Sequence, residues 1–210
     1  MKTHSVGNKI AVNLNSLNLP VSDRMALEIL EQHDVRTIEV DIQSLARGLV
    51  GKAQWKFASR WWERPQYFDC SSLTKWIYGK KGIWLPRRPL QQFEFCRQYG
   101  DVICSSNDIM VGDLVFLSSP YKHGIKTQSD EGIGHVCISV GGGDLVCATN
   151  SELGKGIVEV SIETVLKTRK LRAIGRVCEQ ASSMITLMFP SDREIETTDD
   201  VRWIILQSLS

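Results

Sequence analysis

The spacing of apolar residues changes once along this chain, near Gly100, and that change limits the folds open to it. Before it, apolar positions recur every three to four residues, the repeat of a helix with one buried face. Ile42, Leu45, Ala46, Leu49 and Val50 form such a stripe behind Asp41 as cap, with Gly51 as the stop. Leu73, Trp76 and Ile77 form another, in a helix expected from 70 to about 81 and halted by Gly82. A third helix is expected over 89–98, ended by Gly100. After that the repeat shortens to two, the period of a strand. Strands are expected at 112–116, 135–140, 145–149, 157–161 and 171–177, with Gly141-Gly142-Gly143 as a hairpin turn. Helices first and an antiparallel sheet of five to six strands second make an α+β arrangement.

The flanks carry weaker signals. Residues 1–40 read as a helical extension, in which 20–34 is a short helix with Ser22 as cap and Ala26, Ile29 and Leu30 buried. Residues 41–178 read as the main domain. Residues 179–210 read as a second extension, a strand at 184–189 and a helix at 199–208 capped by Thr198. The segment 52–68 is aromatic and basic, with Trp55, Phe57, Trp61, Trp62, Tyr67 and Phe68; it is either a loop pinned by aromatic anchors or one wall of a cleft. A long polar connection at 118–133 holds Tyr121, Lys122, His123, Lys126, Asp130 and Glu131, and connections of that length are usually functional or disordered.

A chain of 210 residues with 42% hydrophobic content can bury one substantial core. Its net charge of +1 gives no electrostatic reason to expect nucleic acid or an anionic membrane as partner. No apolar run approaches the length of a membrane span. The first thirty residues are polar and lack an apolar signal core, so a cytoplasmic location is expected, or export by a route the sequence does not display. The six cysteines (70, 96, 104, 137, 147 and 178) show neither a CxxC nor a zinc-ligand spacing with histidine. Six free thiols, most of them small buried groups, are expected, with no metal and no cofactor.

Cys70 stands apart from the other five. Asp69-Cys70-Ser71-Ser72 puts it at a helix start, between two residues whose side chains can cap the helix. The positive end of the helix dipole there favours a thiolate. His135 opens a strand in which Val136, Ile138 and Val140 face a core. With a three-residue hairpin loop, Val146 and Ala148 join that face, and Cys147 and Thr149 share the other with His135. A thiol at a helix start and an imidazole on a neighbouring sheet are the parts of a nucleophile–base pair.

Four motifs in order carry a resemblance. Phe68-Asp69-Cys70-Ser71-Ser72-Leu73, then Leu85-Pro86-Arg87 with Gln91, then Gly112-Asp113-Leu114-Val115-Phe116, then Gly134-His135-Val136, spread over 41–178, resemble the NlpC-like family of papain-fold cysteine peptidases. The resemblance implies a papain-like fold and cleavage of an amide in bacterial cell-wall peptides, typically between γ-D-glutamate and a diamino acid. Cys70 would attack the carbonyl and form a thioester. His135 would act as general base and then general acid, and the Cys70 backbone N–H would donate to the oxyanion. Asp69 and Ser71 would line the subsite that reads the peptide's free amine. The family's third catalytic residue falls on Cys147, a poor acceptor for an imidazole unless ionised; Thr149 or Asn150 takes over in a different register. A cleft tyrosine of the family falls on Gln54, or on Trp55 one step along, and its usual glycine after Cys-Ser is here Ser72.

Arg87, Arg88 and Lys56 are candidates for reading a substrate carboxylate, Arg87 with the added weight of its motif. No wall-binding module is visible, which favours short soluble muropeptides over intact murein. Two other readings compete: a binding protein that keeps the cleft, with Cys147 marking lost catalysis, and an acyltransferase that passes the thioester to an amine or lipid.

Overall fold

The computed structural model describes residues 3–119, 132–178 and 184–209. In chain order the elements are β1 (Lys9–Val12), α1 (Asp23–Gln32), β2 (Arg36–Ile38), α2 (Ile42–Arg47), β3 (Gln54–Trp55), β4 (Tyr67–Phe68), α3 (Cys70–Lys80) and α4 (Pro89–Tyr99). They continue with β5 (Asp101–Val102), β6 (Leu114–Ser118), β7 (Ile133–Gly141), β8 (Asp144–Ser151) and β9 (Gly154–Ser161). Last come α5 (Ile162–Thr168), β10 (Leu171–Arg176), β11 (Ile185–Met188) and α6 (Thr198–Gln207). The chain divides into two compact units, one of residues 1–41, Tyr78–Trp84 and 180–210, the other of Ile42–Ile77 and Leu85–Glu179. Among the described residues, no helix is long and apolar enough to cross a membrane.

The smaller unit gathers both expected extensions. Its antiparallel sheet runs β1-β11-β2, with Lys9 opposite Met188 and Thr186 opposite Ile38. Its core holds Ile10, Val12, Leu30, Leu187, Phe189, Val201 and Ile205. The helix α1 starts as expected, the Ser22 side chain accepting from the Met25 N–H and Ala26, Ile29 and Leu30 buried. The helical reading of 1–40 needs correcting, because two strands lie there as well. Both are short, and their partner β11 lies far along the chain, so no local period displays them. The cap of α6 is Thr197, one residue before the expected Thr198, with Asp200 completing a capping box. Gly82 sits at φ +81°, and a Cβ there would lie 2.7 Å from the Ala11 nitrogen. The Gly82 carbonyl instead accepts from that N–H at 2.9 Å, a close approach only glycine permits.

The larger unit is built on a six-stranded antiparallel sheet in the order β5-β10-β6-β7-β8-β9. On one face Phe116 meets Phe93 of α4 edge-on at 5.5 Å, and Cys96 lies where a Cβ on Gly175 would come within 2.7 Å of its own. The other face carries Val115, Leu117, Cys137, Leu145 and Cys147, closed by Val165 of α5. That helix was not expected; at seven residues, with Val165 its one buried side chain, it is too short to show a period. The helix α2 stops at Arg47, short of Val50, and the Gly51 N–H donates to the Ile157 carbonyl. Asp113 is held by two bonds from Arg176, at 2.9 and 2.8 Å, and accepts from the Met110 N–H at 2.8 Å. This nearly buried pair ties β10 to the loop that enters β6, and it raises the Arg176 pKa.

The aromatic segment is pinned at both ends by a short strand pair. β3 and β4 pair in parallel, Gln54 opposite Tyr67 and Trp55 opposite Phe68. Phe68 is fully buried and meets Trp76 edge-on, whereas Phe57, Trp61 and Trp62 stand in solvent. Residues 120–131 of the polar connection, with Tyr121, Lys122, His123, Lys126, Asp130 and Glu131, lie outside the described residues.

Candidate active site

The helix that Cys70 opens is held at its first turn by a dense set of bonds. The Asp69 side chain accepts from the Ser72 N–H at 2.8 Å, the capping bond that residue type predicts. The Asp69 N–H donates back to Ser72 Oγ at 2.9 Å and, less closely, to Ser59 Oγ at 3.3 Å. Ser59 and Ser72 hydroxyls share a bond of 2.8 Å. The expected glycine after Cys-Ser is thus replaced by a serine that closes the cap. Ser59, fully buried, was not singled out by the sequence, and no local pattern marks it.

Arg87 folds back onto the same turn. Its guanidinium forks onto both Asp69 carboxylate oxygens and donates to Ser71 Oγ at 3.0 Å and the Ser59 carbonyl at 3.2 Å. The Leu-Pro-Arg turn therefore supplies a group that positions Asp69, with the Arg87 side chain still 39% exposed. Lys56 pairs with Glu63, and Arg88 opens α4 in a capping box with Gln91. Gln91 thus caps its own helix. The neighbouring Gln92 is the one that reaches α3, donating to the Ser71 carbonyl at 2.9 Å and to the Pro86 carbonyl at 3.0 Å while accepting from Thr74 at 2.7 Å. Trp55, half-buried, and Gln54, exposed, lie beside β4, which leads directly into Asp69 and Cys70.

Two backbone N–H groups, of Ser71 and Val136, point at the Cys70 sulfur and lower its pKa. Burial and the Asp69 carboxylate act the other way and prevail, pushing the thiol up to about 11. The thiolate expected from the helix dipole is therefore corrected: the resting group is a neutral thiol. Val136 reaches the sulfur because the pairing of β7 with β8 runs from the turn only as far as Ile138 opposite Val146. One residue past His135, the strand meets the Cys70 sulfur.

His135 is buried, and its Nε2 has no hydrogen-bond partner. Burial, reinforced by the charge of Arg169, takes the imidazole down to about 3, so it too is neutral at rest. The sulfurs gathered round its ring are those of Cys137 and Cys147, the three ligating atoms lying within 4.8 Å of one another. Cys137 and Cys147 face each other across the hairpin with Cα atoms 4.7 Å apart and are joined as a disulfide. Six free thiols were expected; this bond overturns that for Cys137 and Cys147, and removes Cys147 as a free acceptor for the imidazole. Cys70, Cys96, Cys104 and Cys178 form no disulfide among the described residues. The alternatives for the third position do not reach His135 either: Thr149 shares a bond with Ser151 at 2.9 Å, and Asn150 is exposed opposite Lys155. Arg169 is the neighbour the sequence missed. It ends α5, is buried, and donates to Ser151 Oγ at 3.0 Å.

A half-buried cysteine at a helix start, against an antiparallel sheet that brings a histidine strand to it, is the layout of the papain-like fold. The NlpC/P60 family model matches residues 55–173, more than half of the chain, and the chain belongs to that family. It is similar to a probable endopeptidase p60 of Listeria innocua, 34% identical over 87 residues, or 41% of this chain and 15% of that protein. It is similar also to the γ-DL-glutamyl hydrolase of Bacillus subtilis, 35% identical over 86 residues, or 40% of this chain and 18% of that protein. The matched region thus spans under a fifth of these two relatives' length. Among solved structures, NlpC2 from Trichomonas vaginalis aligns with a TM-score of 0.51 at 21% identity, covering 65% of this chain and 45% of that one.

Proposed function

We propose that this chain is a cysteine endopeptidase that hydrolyses the amide between γ-D-glutamate and a diamino acid in cell-wall-derived peptides. The observation that carries the reading is the Cys70 sulfur at the first turn of α3, with the Val136 N–H, one residue past His135, turned towards it. With both groups neutral at rest, attack and proton transfer are coupled: the sulfur bonds to the carbonyl carbon as its proton passes to His135. The oxyanion is received by the Cys70 backbone N–H, one of the unsatisfied donors of a helix start. Collapse expels the diamino acid's amine, which takes the proton back from His135. Water, deprotonated by the same ring, then hydrolyses the thioester and restores the thiol. Asp69 and Ser71 face the peptide's free amine, with Arg87 fixing the carboxylate that would receive it.

The test is incubation with L-Ala-γ-D-Glu-diaminopimelate at pH 7 and identification of products by mass spectrometry. Wild type is expected to release L-Ala-D-Glu and the free diamino acid, and Cys70→Ala to lose at least roughly 10⁴-fold in rate. Equal turnover by both proteins would refute the assignment. A binding protein is the second reading, favoured by one observation: no side chain orients His135 through Nε2. It predicts saturable peptide binding with no product from either protein.

A further inference from the structure

The spacing of cysteines and histidines along the chain offered no metal site, but the hairpin brings three of them together. Cys137 lies two residues from His135 on one strand, hence on the same face, and Cys147 lies across from Cys137. All three are buried, their ligating atoms fall within 4.8 Å of one another, and His135 Nε2 has no other partner. Two thiolates and an imidazole are the donor set of borderline-soft d¹⁰ cations. In a tetrahedral zinc site, donors about 2.0–2.3 Å from the metal stand about 3.5–4 Å from each other. The cluster spans up to 4.8 Å, so once their bond is cut the sulfurs need to separate and the imidazole to close in by about an ångström.

We propose that the reduced β7–β8 hairpin is a zinc site formed by Cys137, Cys147 and His135, which the Cys137–Cys147 disulfide closes. The opening step is a two-electron exchange with a dithiol. The disulfide gains two electrons and two protons and becomes two thiols, while the dithiol becomes a cyclic disulfide. A Zn²⁺ ion then displaces the two thiol protons and takes the imidazole nitrogen, with water completing four-coordination. The laddered pairing of β7 with β8 stops at Ile138 opposite Val146, so this end of the hairpin is the one that can open without breaking ladder bonds between the two strands. One consequence rests on the peptidase reading. With its nitrogen on the metal, His135 cannot take the proton of Cys70, so the loaded protein would be silent.

The probe is Co²⁺, whose thiolate charge-transfer and tetrahedral d–d bands report the ligand set independently of any activity. Full-length protein reduced with a dithiol, freed of it under anaerobic conditions, is expected to bind one equivalent with a sulfur-to-cobalt band, displaced by Zn²⁺. The unreduced protein is expected to show no such band. Cys147→Ser and Cys137→Ser should each weaken binding at least tenfold and lower the charge-transfer intensity, and His135→Gln should weaken it with that intensity kept. The proposal is overturned if reduced wild type, with six thiols counted chemically, gives no charge-transfer band. It is overturned equally if the unreduced protein gives the same band, or if Cys147→Ser leaves it undiminished. Comparing wild type with and without reduction needs no variant to fold, and none of these readouts depends on peptide cleavage.

Discussion

The two halves of the candidate site are held by different forces. At the start of α3 almost every polar group has a named partner: Asp69 is met by Ser72, Arg87 and Ser71, and the Ser71 carbonyl by Gln92. On β7, His135 is fixed by burial beside Arg169 and the Cys137–Cys147 sulfurs, with Nε2 unsatisfied. Hydrogen bonds fix the turn that carries Cys70. Packing confines His135 but leaves its proton chemistry to be set by what enters the site. A carboxylate held by a fork of charge-assisted bonds resists change, whereas a buried polar atom without a partner costs on the order of 1–3 kcal/mol and invites a ligand or a reaction.

The sharpest way to break this contrast is the thiol itself. With its pKa near 11, Cys70 is roughly one part in 10⁴ thiolate at pH 7. Iodoacetamide alkylation of Cys70, located by mass spectrometry, should therefore rise about tenfold per pH unit from 7 to 9. A rate already on its plateau at pH 7 would mean a standing thiolate–imidazolium pair, and a base held by more than burial.

The histidine half makes a prediction about stability. The unfolded chain takes a proton on His135 below about 6.5, and the folded chain not until about 3. Stability from this group is thus complete above 6.5 and lost as pH falls through that window, at about 1.4 kcal/mol per unit. Urea unfolding at pH 7 and pH 5 should differ by about 2 kcal/mol on this account, and His135→Gln should remove that part of the slope. A slope unchanged in the variant would show that His135 is not desolvated.

The Cys70 half is tested by Arg87→Met. The Arg87 side chain is 39% exposed, so the pair is partly screened and its loss should cost about 2 kcal/mol in urea unfolding, at the low end for breaking an internal ion pair. Peptide turnover should fall with it, since Asp69 loses its fork, and Arg87→Lys should restore only part of both. A variant as stable and active as wild type would remove Arg87 from the site.

What could be read from the sequence divides along the same line. The helix from Cys70 and its Leu73 and Ile77 stripe, the α4 stop at Gly100 and the strands β6 to β10 follow from local spacing and caps, whereas the two-residue strands β3, β4 and β5 are too short to show a period. The Asp69 cap was legible for the same reason: a helix start is written in adjacent residues. What lay hidden depends on register and on pairing over long distances. β1 and β2 are strands only because β11 returns to them. The pairing of Arg87 with Asp69, 18 residues back, is one that no local pattern displays. The placement of Cys147 and Thr149 on the histidine face was anticipated, but not that Cys137 opposite would bond to Cys147. Arg169 escaped notice because the helix it ends is too short to declare itself.

The most direct test of the central claim is rapid-quench mass spectrometry of the intact protein mixed with L-Ala-γ-D-Glu-diaminopimelate at pH 7, followed by mapping of any adduct. The account predicts a transient L-Ala-γ-D-Glu thioester on Cys70, forming and decaying in step with release of the diamino acid, and absent from Cys70→Ala. Release of the diamino acid with no adduct on Cys70, or an adduct that maps to another residue, would contradict it.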